Sequence, residues 1–100
     1  MIKHIVLIKL KSFEDSDERE ETLKIIKERL EHLLDVIPEL RSMEVGINIV
    51  SRPIAYDISL IAKFDDLKGL EKYRESVDHL EVLSVIFDNT DKMAVVDYEV

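Results

Sequence analysis

The first ten residues constrain the fold more than any other stretch of the chain. Their even positions are almost wholly apolar, whereas from Lys3 onwards their odd positions are apolar only at Ile5 and Leu7. Successive side chains of a strand point to opposite faces of the sheet, so this strand needs one face covered completely and the middle of the other covered as well. One layer of helices covers only one face. In a chain of 100 residues, we expect a second copy of the same chain to cover the other.

The composition is typical of one globular domain, which we predict to span residues 1–100. The net charge of −8 argues against nucleic acid and against an anionic membrane surface as partners. The absence of cysteine excludes disulfides, a thiol nucleophile and zinc–thiolate sites. The apolar run at residues 5–8 is too short for a signal peptide or a membrane span, so we expect a cytoplasmic protein.

Hydrophobic periodicity predicts the element order β-α-β-β-α-β, the ferredoxin-like arrangement of the α+β class. Both helical regions would then cover one face of a four-stranded antiparallel sheet and leave the other face open. An exposed apolar face of this size is unusual on a monomer. We therefore predict a homodimer in which two open sheet faces pack together as an α/β barrel. The strands are predicted at residues 1–10, 41–50, 56–64 and 92–100.

The first helix is predicted to begin with a capping box formed by Asp17 and Glu20, and to end at Pro38. The second helical region is predicted in two pieces. The first piece starts at Asp65 or Asp66, and the second starts after a break near Ser76. The apolar residues expected to face the core from the second piece are Leu80, Leu83 and Phe87.

His79 and Tyr73 are the main candidates for chemistry. With Ser76 as helix cap, His79 falls in the first turn, where the helix dipole disfavours the charged imidazolium. A neutral imidazole close to Tyr73 could act as a general base beside a hydrogen-bond donor. The alternative is a solvent-facing histidine in an acidic stretch, between Asp78 and Glu81.

The other histidines are less informative. His4 lies on the apolar face of the first strand, either as a core-edge residue bonded to a backbone carbonyl or as a polar group in a pocket between sheet and helices. His32 is expected on the surface. No metal site is predicted, because Glu31 and His32 have no second histidine at helical spacing.

Short segments spread over the whole chain are typical of a known family. They are Met1-Ile2-Lys3-His4-Ile5-Val6-Leu7, Glu44-Val45-Gly46, Phe64-Asp65-Asp66-Leu67, Tyr73 with His79, and Ala94-Val95-Val96-Asp97-Tyr98. Together these segments resemble the stress-responsive α/β-barrel (Dabb) family, part of the dimeric α/β-barrel superfamily. The resemblance implies a ferredoxin-like fold and a dimeric α/β barrel.

The family includes olivetolic acid cyclase, a plant polyketide cyclase that works by intramolecular aldol condensation without a cofactor. The resemblance implies Tyr73 and His79 as the catalytic pair and His4 as a further pocket histidine. Two departures make this pocket more apolar. Ser76 and Val77 stand where the family commonly has His-Pro, and Ile58 stands where the cyclase has a histidine.

The function expected from the sequence is binding of a small, partly apolar molecule between sheet and helices, without metal or cofactor. As an enzyme, the protein would transfer protons in a cyclase-, lyase- or isomerase-like reaction, with His79 as base and Tyr73 polarising a carbonyl. The alternatives are a non-catalytic structural or stress-related dimer and, third, a monooxygenase of the dimeric α/β-barrel type. The pocket would be formed by His4, Tyr73 and His79 with apolar walls from Val6, Ile8, Ile26 and Ile58.

Overall fold

The computed structural model describes all 100 residues. Its elements in chain order are β1 (Ile2–Leu10), α1 (Ser16–Val36), β2 (Ser42–Ile47), β3 (Ile58–Phe64), α2 (Leu67–Glu75), α3 (Val77–Asn89) and β4 (Thr90–Glu99). All neighbouring strands are antiparallel, in the order β2-β3-β1-β4. The predicted ferredoxin-like order is confirmed, with the second helical region divided into α2 and α3.

The helices cover the sheet face that carries the even residues of β1. Ile8 in β1 is 1% exposed, and Ile26 and Leu30 of α1 are 0% and 1% exposed. These residues belong to one continuous core of 19 buried side chains. Burying such side chains is the main favourable contribution to folding. None of the three helices is long and apolar enough to cross a membrane.

The opposite sheet face is apolar at its centre and has no helix over it. On this open face, Ile5 of β1 lies between Ile61 of β3 and Val96 of β4. Ile5 and Ile61 are only half-buried, and Val96 is 52% exposed. The strand register therefore places apolar residues of β1 on both faces of the sheet, as predicted.

The start of α1 differs from the prediction. Its cap is Asp15 rather than Asp17, because the Asp15 carboxylate accepts a hydrogen bond of 2.9 Å from the backbone N–H of Asp17. That N–H is the donor that Glu20 would need for the predicted capping box. The helix ends as predicted before Pro38, with Ile37 in an extended conformation as its C-cap.

β2 and β3 are both shorter than predicted. The side chain of Asn48 accepts from the backbone N–H of Val50 at 3.4 Å and donates to the Val50 carbonyl at 2.9 Å, a local turn that ends β2 at Ile47. Ile49, which lies within the predicted strand, is 95% exposed. The connection then runs to Ile58, where β3 begins.

The joint between α2 and α3 is a single residue. Ser76 is the C-cap of α2 and also the N-cap of α3, where its hydroxyl accepts from the backbone N–H of His79 at 3.4 Å. The predicted cap at Ser76 is therefore confirmed. Asp66, one of the two predicted candidates, caps α2 through the backbone N–H of Gly69.

The buried face of α3 is predicted only in part. The residues that α3 buries are Val82 and Ile86, whereas Leu83 is half-buried and Leu80 and Phe87 are 52% and 57% exposed. Apolar residues occur on most sides of α3, so the periodicity did not single out one face. The helix packs against α1.

Candidate functional site

A cavity of about 420 Å³ lies between the sheet and α3. We call it the α3 cavity. Most of its lining is apolar, with Val6 and Ile8 from β1, Leu30 from α1 and Ile86 from α3 among its walls. A mostly apolar hollow of this size with a few polar groups is typical of a site for a small molecule. The polar and charged side chains that line it are His4, Tyr73, Arg74, His79 and Asp97.

The structure brings together five of the seven residues predicted for the site. His4, Val6, Ile8, Tyr73 and His79 all line the α3 cavity. Ile26 and Ile58 do not line it, which corrects their assignment to the pocket wall. Both side chains point deeper, into the core between sheet and helices, where they are 0% and 1% exposed.

Tyr73 ends the buried face of α2 and is completely buried. Its ring packs against Phe64, with ring centroids 5.0 Å apart, and its hydroxyl has no hydrogen-bond partner in the protein. Burial raises the pKa of this hydroxyl above its ordinary value of 10.0, so the group stays protonated. Leaving a buried donor unpaired costs about 1–3 kcal/mol. A hydrogen bond from the Tyr73 hydroxyl to an acceptor would therefore be energetically favourable.

His79 lies next to Tyr73 across the Ser76 joint, with the two ring centroids 4.2 Å apart. Nδ1 of His79 lies 3.3 Å from the backbone carbonyl oxygen of Arg74. A carbonyl can only accept, so Nδ1 carries the proton and Nε2 of the neutral ring is left as an acceptor. Burial lowers the pKa of His79 below its ordinary value of 6.5. His79 therefore has the protonation state of a base.

His4 and Asp97 form a second polar pair in the α3 cavity. The two residues lie opposite each other on β1 and β4, and Nδ1 of His4 donates to the Asp97 carboxylate. His4 is buried, and its ring centroid lies 6.1 Å from that of Tyr73. This arrangement favours the reading of His4 as a pocket residue over a histidine bonded to a backbone carbonyl.

Sequence reasoning missed Asp97 and Arg74 as lining residues. One weak signal for Asp97 was present, since it follows the apolar Met93 and Val95 at alternate positions of the last strand. Its partner, His4, could be identified only once the register between β1 and β4 was known.

The half-buried imidazole of His79 is expected to make the fold less stable as pH falls. Its pKa is lowered in the folded state from an ordinary value of 6.5, which the unfolded chain keeps. The native state therefore binds fewer protons, and stability is intact above the unfolded pKa and is lost as pH falls from there towards the folded pKa. Urea unfolding at about pH 7.5 and about pH 5.5 should show a larger loss for the natural chain than for His79→Gln.

An NMR titration of the His79 ring provides the direct check on this expectation. Its midpoint should lie below the ordinary 6.5. A midpoint for His79 at or above that of an unfolded peptide would contradict the burial argument.

Comparisons with known proteins agree with this fold. The family model of the stress-responsive A/B barrel domain (Dabb) matches residues 2–100. An uncharacterised protein of Streptomyces coelicolor is 37% identical over 79 residues, which is 79% of each chain. Among solved structures, a dimeric protein of unknown function with a ferredoxin-like fold from Bacteroides fragilis has a TM-score of 0.89 and 30% identity, covering 99% of this chain and 95% of its own.

An enzyme shares the fold at lower identity. The hydroxynitrile lyase of Passiflora edulis has a TM-score of 0.83 at 18% identity, with 99% of this chain and 92% of that chain covered. At this identity the likeness concerns the fold alone. The family match, by contrast, extends from the first strand to the last residue and agrees with the resemblance found in the sequence segments. The chain belongs to the stress-responsive A/B barrel domain (Dabb) family.

Proposed function

We propose that the protein is a homodimer whose copies each bind a small, partly apolar molecule in the α3 cavity, and that His79 and Tyr73 transfer protons on it without a cofactor. The observation that carries this proposal is the buried Tyr73 hydroxyl, which has no partner in the protein and belongs to a ring whose centroid lies 4.2 Å from that of the neutral His79. General acid–base catalysis needs a proton donor and a base that lie close together, and an apolar cavity is a suitable place for such a pair.

The roles follow from the hydrogen-bonding capacity of each group. The Tyr73 hydroxyl donates to a carbonyl oxygen of the bound molecule and stabilises negative charge that develops there. Nε2 of His79 removes a proton from an adjacent atom, and Nδ1 stays bonded to the Arg74 carbonyl. The proton held on Nε2 can return to another position of the same molecule, which gives an isomerase-, cyclase- or lyase-like reaction.

The dimer part of the proposal rests on the open sheet face. Its centre, formed by Ile5, Leu7, Ile61 and Val96, is apolar and at least partly exposed in one copy. The solved relative from Bacteroides fragilis, which shares 30% of its residues with this chain, is dimeric. Two copies related by a twofold axis would cover this face reciprocally. The cytoplasm is the proposed location.

The first test is native mass spectrometry of the protein purified from its own cells. We expect a dimer, twice the 11.7 kDa of one chain, that carries a reproducible small mass. The variants Tyr73→Phe and His79→Ala should no longer carry that mass, or should convert the bound molecule at least about a hundredfold more slowly than the natural chain. A non-catalytic structural dimer would be favoured if the natural chain carries no bound molecule and both variants give the same mass spectrum as the natural chain.

The stability of Tyr73→Phe separates function from folding. Because this substitution removes only a hydroxyl that has no partner, the variant should unfold no more easily than the natural chain, and up to about 1–3 kcal/mol less easily. Loss of binding with undiminished stability would assign the hydroxyl to the ligand. A clear loss of stability would instead show that the Tyr73 hydroxyl makes a hydrogen bond that stabilises the fold.

A further inference from the structure

The charged groups around the α3 cavity restrict which molecules it can hold. Only two ionic side chains line it, Arg74 and Asp97. The Arg74 guanidinium forms an ion pair of 3.1 Å with Glu71 at the surface, where its side chain is 62% exposed. The Asp97 carboxylate accepts from His4 and adds negative charge to the wall. The interior of the cavity therefore presents no cation that is free to meet an anionic ligand.

The neutral groups supply a second restriction. The Tyr73 hydroxyl can donate, and Nε2 of His79 can accept, since Nδ1 of that ring is already bonded to the Arg74 carbonyl. A ligand that satisfies both groups presents an acceptor next to a donor. A carboxylate presents two acceptors, so one of its oxygens would face the lone pair of His79. It would also lose its hydration in an apolar hollow, which is costly for a charge without a partner.

We propose that the α3 cavity selects uncharged molecules in which a carbonyl oxygen lies beside an N–H or O–H donor, such as amides and hydroxy-carbonyl compounds with an aromatic or alicyclic body, and that it rejects the corresponding carboxylates. This inference names the ligand class of the proposed binding function and rests on it. The apolar body contacts Val6, Ile8 and Leu83, and the polar end reaches Tyr73 and His79.

The test compares two probes of nearly identical shape, 2-naphthamide and 2-naphthoate, at neutral pH. Binding is followed by NMR through the backbone amides of α3. The amide should bind at least about tenfold more tightly than the carboxylate, because only the amide pairs with both Tyr73 and His79. In Tyr73→Phe the amide should lose most of this advantage, since the variant has no hydroxyl donor.

Two further variants examine the charges. Arg74→Gln should keep the amide the tighter ligand by a similar factor, because the guanidinium that it removes is paired with Glu71 and is largely exposed. Asp97→Asn keeps an oxygen that accepts from His4 but removes the negative charge, so 2-naphthoate should bind more tightly to this variant than to the natural chain. These two results together support the exclusion of anions by the wall.

The remaining outcomes overturn the inference in distinguishable ways. If 2-naphthoate binds as tightly as the amide, the cavity is a ligand site but does not select uncharged molecules. If that binding disappears in Arg74→Gln, the guanidinium is an anion site. If neither probe shifts the α3 amides, the inference fails together with the proposal of a small-molecule site.

Discussion

Replacing Ile26 by alanine is expected to lower the free energy of unfolding by about 2–5 kcal/mol. Ile26 is 0% exposed on the inner side of α1 and belongs to the continuous core. The substitution removes three buried carbon atoms and leaves a hole that close-packed neighbours fill only partly. Urea unfolding at one fixed protein concentration measures the change, since the stability of a dimer depends on concentration.

Ile25 provides a matched control for this substitution. It is the preceding residue of the same helix and is 37% exposed. Ile25→Ala should cost less than about 1 kcal/mol, because fewer buried contacts are lost and alanine favours the helix. If both variants lose the same small amount of unfolding free energy, Ile26 does not lie in the core, and its predicted place in the cavity wall would stand.

A glutamate in place of Ile5 is expected to convert the proposed dimer to a monomer. Ile5 lies at the centre of the open sheet face, between Ile61 and Val96. Twofold symmetry would bury two new carboxylates without partners, one from each copy, at a cost of several kcal/mol. In a separate copy the side chain reaches water, so the fold should remain. Size exclusion with light scattering at micromolar concentration distinguishes the two masses.

The control for Ile5→Glu is Ile49→Glu. Ile49 is 95% exposed in the connection between β2 and β3, so the same change of charge there should leave the dimer intact. A natural chain that is itself monomeric would refute the proposed assembly. A dimer that survives Ile5→Glu would show that the contact lies on another surface.

The order of the elements could be predicted because each element carries its own periodicity. The alternation along β1 and the spacing of Leu23, Ile26, Leu30 and Leu33 along α1 are local properties of the sequence. Such patterns indicate which side of an element is buried. They do not show how deeply a side chain is buried, and for that reason Ile26 was predicted to line a pocket although it lies in the core.

The parts of the site that sequence reasoning missed depend on contacts between distant segments. The pair of His4 and Asp97 is separated by 93 positions and requires the register of β1 against β4. The buried side of α3 depends on packing against α1, because Leu80, Val82 and Phe87 offer apolar groups in several directions. By contrast, Tyr73 and His79 were placed together correctly, since both flank one helix joint.

That joint also sets the relative position of the two candidate residues. Ser76 alone separates the helix that carries Tyr73 from the helix that carries His79. A substitution there that alters the backbone would turn α3, and His79 with it, while the Phe64–Tyr73 packing on the other side of the joint stays in place. The distance between Tyr73 and His79 therefore depends on one residue that takes no part in the packing of Tyr73 in the core.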